Sequence, residues 1–177
     1  MDRRLLTGLA LALAGCAGSG APDGPVSQSP GGQPGSGNPT TSVIPLARFR
    51  PDSQAYSPVS GYHQAERLVV TDQATWQSVW HTVHATLAPE PPLAAVDFSR
   101  EVVLVAAMGR QPSGGYAVRL EAAQQDDQAV TVTVRTVVPG AGCVVPQVVT
   151  SPVDLARLPR TALPVRFADR SDTLRCE

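Results

Sequence analysis

The sequence predicts an α+β fold: a single domain in which a mostly antiparallel β-sheet is covered by one amphipathic helix. Two patterns predict it. One window keeps a helical apolar period, and several later windows alternate apolar and polar residues with period 2. A third observation sets the domain's start, because Ala17 to about Thr41 is rich in Gly, Pro, Ser and Gln and too poor in apolar residues to offset its own ordering entropy.

Val43 to Phe49 comes first and reads either as a docked segment of the domain or as an extended arm. Pro45, Pro51 and Pro58 argue against regular structure through Ser60. Arg67-Leu68-Val69-Val70 is a short strand signal, and Thr71-Asp72-Gln73 then offers N-cap chemistry. Trp76, Val79, Trp80, Val83 and Leu87 follow at steps of three, one, three and four, the apolar stripe of one helix. Pro89-Glu90-Pro91-Pro92 ends it. Asp97 precedes a buried-looking strand, where its side chain suits capping a turn. Glu101 to Ala107 is Val-rich, Tyr116 to Leu120 alternates, and Val130 to Arg135 alternates over its whole length. These are three successive strands, and the polar Gln124 to Gln128 run reads as the hairpin turn between the last two. Val144 to Thr150 and Leu163 to Phe167 are further strand candidates.

Charge excludes one class of partner. The formal net charge is −1, all 14 basic residues are Arg, and no basic stripe is visible, so nothing points to nucleic acid. No cofactor motif is present either.

The N-terminus is informative. Met1-Asp2-Arg3-Arg4 leads into the apolar run Leu5 to Ala14, too short to span a bilayer that needs about 20 residues. It reads as a signal peptide over residues 1–15. Its ending, Leu13-Ala14-Gly15-Cys16, resembles the lipobox of bacterial lipoproteins, in which the Cys is lipidated and becomes the new N-terminus. That resemblance implies lipidation at Cys16, attachment to the membrane through the lipid, and a place in the bacterial cell envelope facing the periplasm or the exterior. Residues 16–42 would then be the lipidated Cys and a linker, spanning roughly 30 Å as a coil, with the domain at 43–177. Assigning Cys16 to lipid leaves Cys143 and Cys176. In an oxidising compartment these are expected to form a disulfide, although Cys176 is penultimate and would be free if the terminus frays.

One further resemblance rests on consecutive features: Ala95-Val96-Asp97-Phe98-Ser99 before the Val102 to Val105 strand, then Gly109-Arg110-Gln111-Pro112-Ser113-Gly114-Gly115-Tyr116, then Val138-Pro139-Gly140 and Thr150-Ser151-Pro152. Over about Arg67 to Phe167 this is similar to the PrcB C-terminal domain family. The resemblance implies a non-catalytic role in assembling or stabilising an extracytoplasmic protease or another envelope complex.

The candidate binding loop is Arg110, Gln111, Ser113, Gly114, Gly115 and Tyr116. The glycines permit close approach of another backbone, and the other four supply donors and an aromatic anchor. Equally, two glycines there suit a plain strand connection. Ser113 lacks the Gly-x-Ser-x-Gly frame of a nucleophile, so an enzyme is not expected. His81 and His84 are three apart on the helix, and a metal would need ligands beyond them, so both are expected at the surface and no metal site is assigned. The expected function is a lipid-anchored binding or assembly protein. The alternative is a lipoprotein that binds a small ligand or peptide, for instance by strand addition at a sheet edge.

Overall fold

The computed structural model describes residues 41–50 and 56–176. The leader, Cys16 and nearly all of the linker expected at 16–42 lie outside the described residues.

The fold class is as expected, with two sheets in place of one. Strands β1 (Ser42–Ile44), β5 (Ala117–Gln125), β6 (Val130–Pro139) and β8 (Val165–Leu174) form one four-stranded sheet in the order β1-β5-β6-β8. Strands β2 (Ala47–Arg48), β7 (Val153–Pro159), β4 (Glu101–Ala107) and β3 (Glu66–Val70) form the other, in the order β2-β7-β4-β3. The one helix among the described residues, α1 (Gln73–His84), covers the outer face of the second of these sheets. All pairings are antiparallel except β6 with β8, which is parallel from Val130↔Val165 to Pro139↔Leu174.

The layering explains why β4 is an unbroken apolar run. Val103, Val105 and Ala107 face Trp76, Trp80 and Val83 of the helix, while Val102, Leu104 and Ala106 face Val118, Leu120, Val132 and Val134 of the other sheet. A strand buried on both faces has no polar side to alternate with. β7 shares this position, with Val153 and Leu155 turned to the helix and Ala156 and Leu158 to the β1-β5-β6-β8 sheet. No strand was expected there, because double burial removes the period-2 signal and Asp154 interrupts the apolar run.

Asp154 is 1% exposed, and its carboxylate closes three connections. Oδ2 accepts from Leu120 N at 2.8 Å and from Arg48 NH1 at 2.6 Å, and Oδ1 accepts from Tyr56 N at 3.1 Å. Arg48 also donates to Leu120 O. Both backbone groups of Leu120 are thus satisfied where β5 shifts register between Leu120 and Ala122 and the strand ladder is interrupted.

The helix begins as its sequence requires. Asp72 caps it, accepting from Thr75 N at 2.9 Å and Thr75 Oγ1 at 2.8 Å, and these bonds hold its carboxyl below the usual range. The indole N–H groups of Trp76 and Trp80 donate to Ala94 O at 2.8 Å and Pro91 O at 2.9 Å, tying down the loop that follows. Asp97 caps the turn before β4, accepting from Ser99 Oγ and Ser99 N.

Four expectations are corrected. The helix ends at His84 and leaves Leu87 51% exposed, outside the stripe. His84 is buried, not at the surface, with Nδ1 on Trp80 O and Nε2 on Tyr56 OH, both at 2.9 Å. In the neutral ring Nδ1 must donate, because a carbonyl only accepts, so Nε2 accepts from Tyr56. Val144 to Thr150 is a loop carrying one isolated pair, Thr150 with Gln111. Pro146 deprives it of a ladder donor. The Leu163 to Phe167 strand in fact starts at Val165 and runs to Leu174, beyond the reach of an apolar pattern because only Val165 and Phe167 turn to the core.

Candidate docking surface

The expected binding loop connects β4 to β5, and the sequence at each position explains its course. Gly109 has φ +72° because the chain passes directly over residue 64; a Cβ there would lie 2.6 Å from Gln64 C. Arg110 N then donates to His63 O at 3.2 Å. Gln111 and Thr150 exchange backbone bonds of 2.8 and 3.1 Å, and Gln111 Nε2 donates to Met108 O at 3.0 Å. Ser113 is buried, its Oγ bonded to Gly114 O at 3.0 Å and its carbonyl accepting from Thr150 Oγ1 at 2.9 Å. Gly114 N donates to Pro146 O at 2.8 Å. Gly115, at φ +85°, has Val145 Cγ1 2.8 Å from where a Cβ would stand.

Another backbone does approach Gly114, at Pro146 O, and it belongs to this chain's loop 144–149, whereas Gly115 makes room for the side chains of Val145 and Pro139. Of the six expected contact residues, Gln111, Ser113, Gly114 and Gly115 are engaged in holding that loop, Arg110 is exposed, and Tyr116 is half-buried. Among the described residues Ser113 Oγ donates to the neighbouring Gly114 carbonyl and bonds no histidine or carboxylate.

What the glycine loop supports is apolar. Val144 is fully exposed, and Val148 and Val149 are 55% and 54% exposed. No residue from Thr136 to Val153 carries a charge. Exposed valines are ordinary singly, but three in one uncharged loop are not. Val149 also borders a groove of about 380 Å³ whose other walls include Val59, His63, Ala85 and Arg110. The valine loop went unrecognised as a surface because its β-branched residues suit a strand; Gly140, Gly142 and Pro146 were the signals against that reading.

Cys143, at the base of the loop, is bonded to Cys176, so the start of the loop and the chain end are joined beside the β6–β8 pair. Gly140 N donates to Leu174 O at 3.0 Å at the same place. His81 is exposed and pairs with Glu90 at 2.9 Å, away from His84's two partners. Among the described residues no three His, Cys, Asp or Glu side chains are grouped as a metal would require. No helix among them is long and apolar enough to cross a membrane.

Residues 102–159 match the family model described as PrcB C-terminal. The matched region is similar to that family's model, runs from the start of β4 to the end of β7, and contains both the glycine loop and the valine loop it supports. α1, β3 and β8 lie outside the matched region. No curated protein and no solved structure matches the chain.

Proposed function

We propose that this is a lipid-anchored, extracytoplasmic, non-catalytic protein of the bacterial cell envelope that holds a protein partner, such as a protease or another envelope complex, on the valine loop. The observation that carries the reading is the exposure of Val144, Val148 and Val149 on an uncharged loop backed by hydrogen bonds from Gly114 and Thr150. Interface cores are depleted of charge, and a loop already held in place loses little entropy on binding. The PrcB C-terminal match supports an assembly role, since it spans this whole loop. The lipobox-like ending at Cys16 and the Cys143–Cys176 bond both fit an oxidising compartment outside the cytoplasm.

The docking reading is tested by Val148→Asp/Val149→Asp in intact cells. Crosslinked partners captured by the wild type are expected to be lost in the variant at unchanged thermal stability; equal capture by both defeats the reading. The anchor is tested separately with Cys16→Ser, which is expected to abolish fatty-acid labelling and membrane association.

A further inference from the structure

The strand order β1-β5-β6-β8 leaves one side of β8 unpaired among the described residues. β8 runs for 10 residues without Pro or Gly, whereas the other edge strands, β1, β2 and β3, have 3, 2 and 5. Sheet edges are commonly kept short or broken by Pro and bulges, so a long regular one is open to another strand. The parallel pairing with β6 fixes which of its backbone groups are free. Val130 N donates to Pro164 O at 2.9 Å, Gly140 N to Leu174 O at 3.0 Å, and Thr136 Oγ1 to Arg170 O at 3.2 Å. The even-numbered residues of β8 thus turn their backbone groups to β6. Successive residues of a strand point these groups to opposite sides, so Val165, Phe167, Asp169, Ser171 and Thr173 present theirs to the open side.

The side chains of β8 carry both signs of charge in a particular order. Val165 and Phe167 turn to the core, so Arg166, Ala168, Arg170 and Asp172 lie on the outer face of the sheet. Among the described residues Arg166 is exposed and in no ion pair, while Arg170 reaches Glu121 at 3.0 Å. Asp172 meets Arg135 and Arg170 through Oδ2, which leaves Oδ1 to accept from another donor.

We propose that β8 pairs antiparallel with β8 of a second copy of this chain about a twofold axis at Asp169, joining two four-stranded sheets into one. In that register Val165 faces Thr173 of the second copy, Phe167 faces its Ser171, and Asp169 faces its Asp169. All of these residues present their backbone groups to the open side, so the facing segments exchange about ten backbone hydrogen bonds. On the outer face Arg166 stands opposite Asp172 of the second copy, and symmetry makes this pair twice. The two Asp169 carboxylates meet at the axis, but each is held by its own Arg67 at 2.6 Å, so the four charges there sum to zero. Moving the axis to Ala168 sets Arg166 against Arg170, and moving it to Arg170 sets that residue against itself. An axis at Ser171 keeps an Arg170–Asp172 pair but shortens the overlap to 168–174. The self-complementary order of charges favours a second copy over an unrelated strand. The proposal depends on neither the valine loop nor the lipid anchor.

The test is sedimentation velocity on the full chain with Cys16→Ser as the background, which keeps lipid out of the association. That chain is expected to dimerise with a Kd between about 1 μM and 1 mM, and a chain still monomeric at about 1 mM overturns the proposal. Arg166→Asp and Asp172→Arg, added singly, each set like charges opposite one another at both pairs and are expected to weaken self-association about tenfold or more. An equimolar mixture of the two variants restores opposite signs at both pairs and is expected to associate within about threefold of the background chain. Single variants that dimerise as well as the background, or a mixture no tighter than either variant alone, overturn the register. Ser171→Pro removes an N–H from the open side while leaving the β6 ladder intact, and is expected to be monomeric with unchanged near-ultraviolet circular dichroism. Undiminished dimerisation of that variant also overturns the proposal.

Discussion

Replacing Asp154 with Ala is expected to remove a large share of the domain's stability. The carboxylate is 1% exposed and accepts from Arg48, Leu120 N and Tyr56 N. Its loss strands two backbone N–H groups, each costing about 1–3 kcal/mol when left buried and unsatisfied. It also leaves the guanidinium of Arg48, only 18% exposed, without its counter-charge. These costs overlap, since the same relaxation relieves them, so the expected loss is about 4–6 kcal/mol. That approaches the whole stability of a domain of this size. The assay is urea denaturation followed by the fluorescence of Trp76 and Trp80, both in the core. Should Asp154→Ala not fold, Asp154→Asn keeps one acceptor oxygen and is expected to lose about 2–3 kcal/mol. In a double-mutant cycle, Arg48→Met and Asp154→Asn should show a coupling of more than about 1 kcal/mol. A loss below about 1 kcal/mol for Asp154→Ala, with an unchanged denaturant slope, would refute the account of how β5, β7 and the Tyr56 segment are joined.

Three further outcomes follow from the same structure. Cys143→Ser/Cys176→Ser opens a loop of sequence separation 33 and is expected to cost about 3–4 kcal/mol, measured by urea midpoint against the oxidised wild type. Gly109→Ala places a Cβ 2.6 Å from Gln64 C at φ +72° and is expected to lower stability by about 2 kcal/mol or more, read as a fall in Tm. Stability should fall at both extremes of pH. The carboxyls of Asp72, Asp97 and Asp126 are held below their ordinary value by hydrogen bonds from Thr75 N, Ser99 Oγ and Gln128 N respectively. The unfolded chain therefore takes up their protons first, and the stability they contribute is present above about pH 4 and lost as pH falls through the native values. Burial, with Glu66 adding to it, pushes the Tyr62 phenol up to about 12. The native state thus keeps that proton after the unfolded chain has released it, and stability declines as pH rises from about 10 toward 12. Thermal melts across pH check both limbs, and a Tm that keeps rising above pH 10 would contradict the second.

The sequence was most legible where one face is wet. α1 shows its stripe because Gln73 and Gln77 face solvent while Trp76 and Trp80 do not, and β6 alternates because Val130, Val132 and Val134 are buried while Thr131, Thr133 and Arg135 are more accessible. β7 was illegible because both faces are buried and a charged residue sits among them, compensated by Arg48, which lies far from it in sequence. The valine loop illustrates the opposite failure. Val144, Val148 and Val149 have strand-like composition but lie outside any strand, and sequence pattern cannot distinguish a buried apolar residue from an exposed one. The Gly114-Gly115 pair was legible as a place of close approach, whereas the identity of the approaching segment is a matter of tertiary packing.

The central claim is that the valine loop meets a protein partner, and site-specific photocrosslinking in living cells tests it most directly. A photoreactive residue at position 148 is compared with one at position 128, in the exposed turn between β5 and β6. A discrete crosslinked species of defined mass from position 148 and none from position 128 is the predicted result. No adduct from 148, or the same adducts from both positions, would contradict the claim.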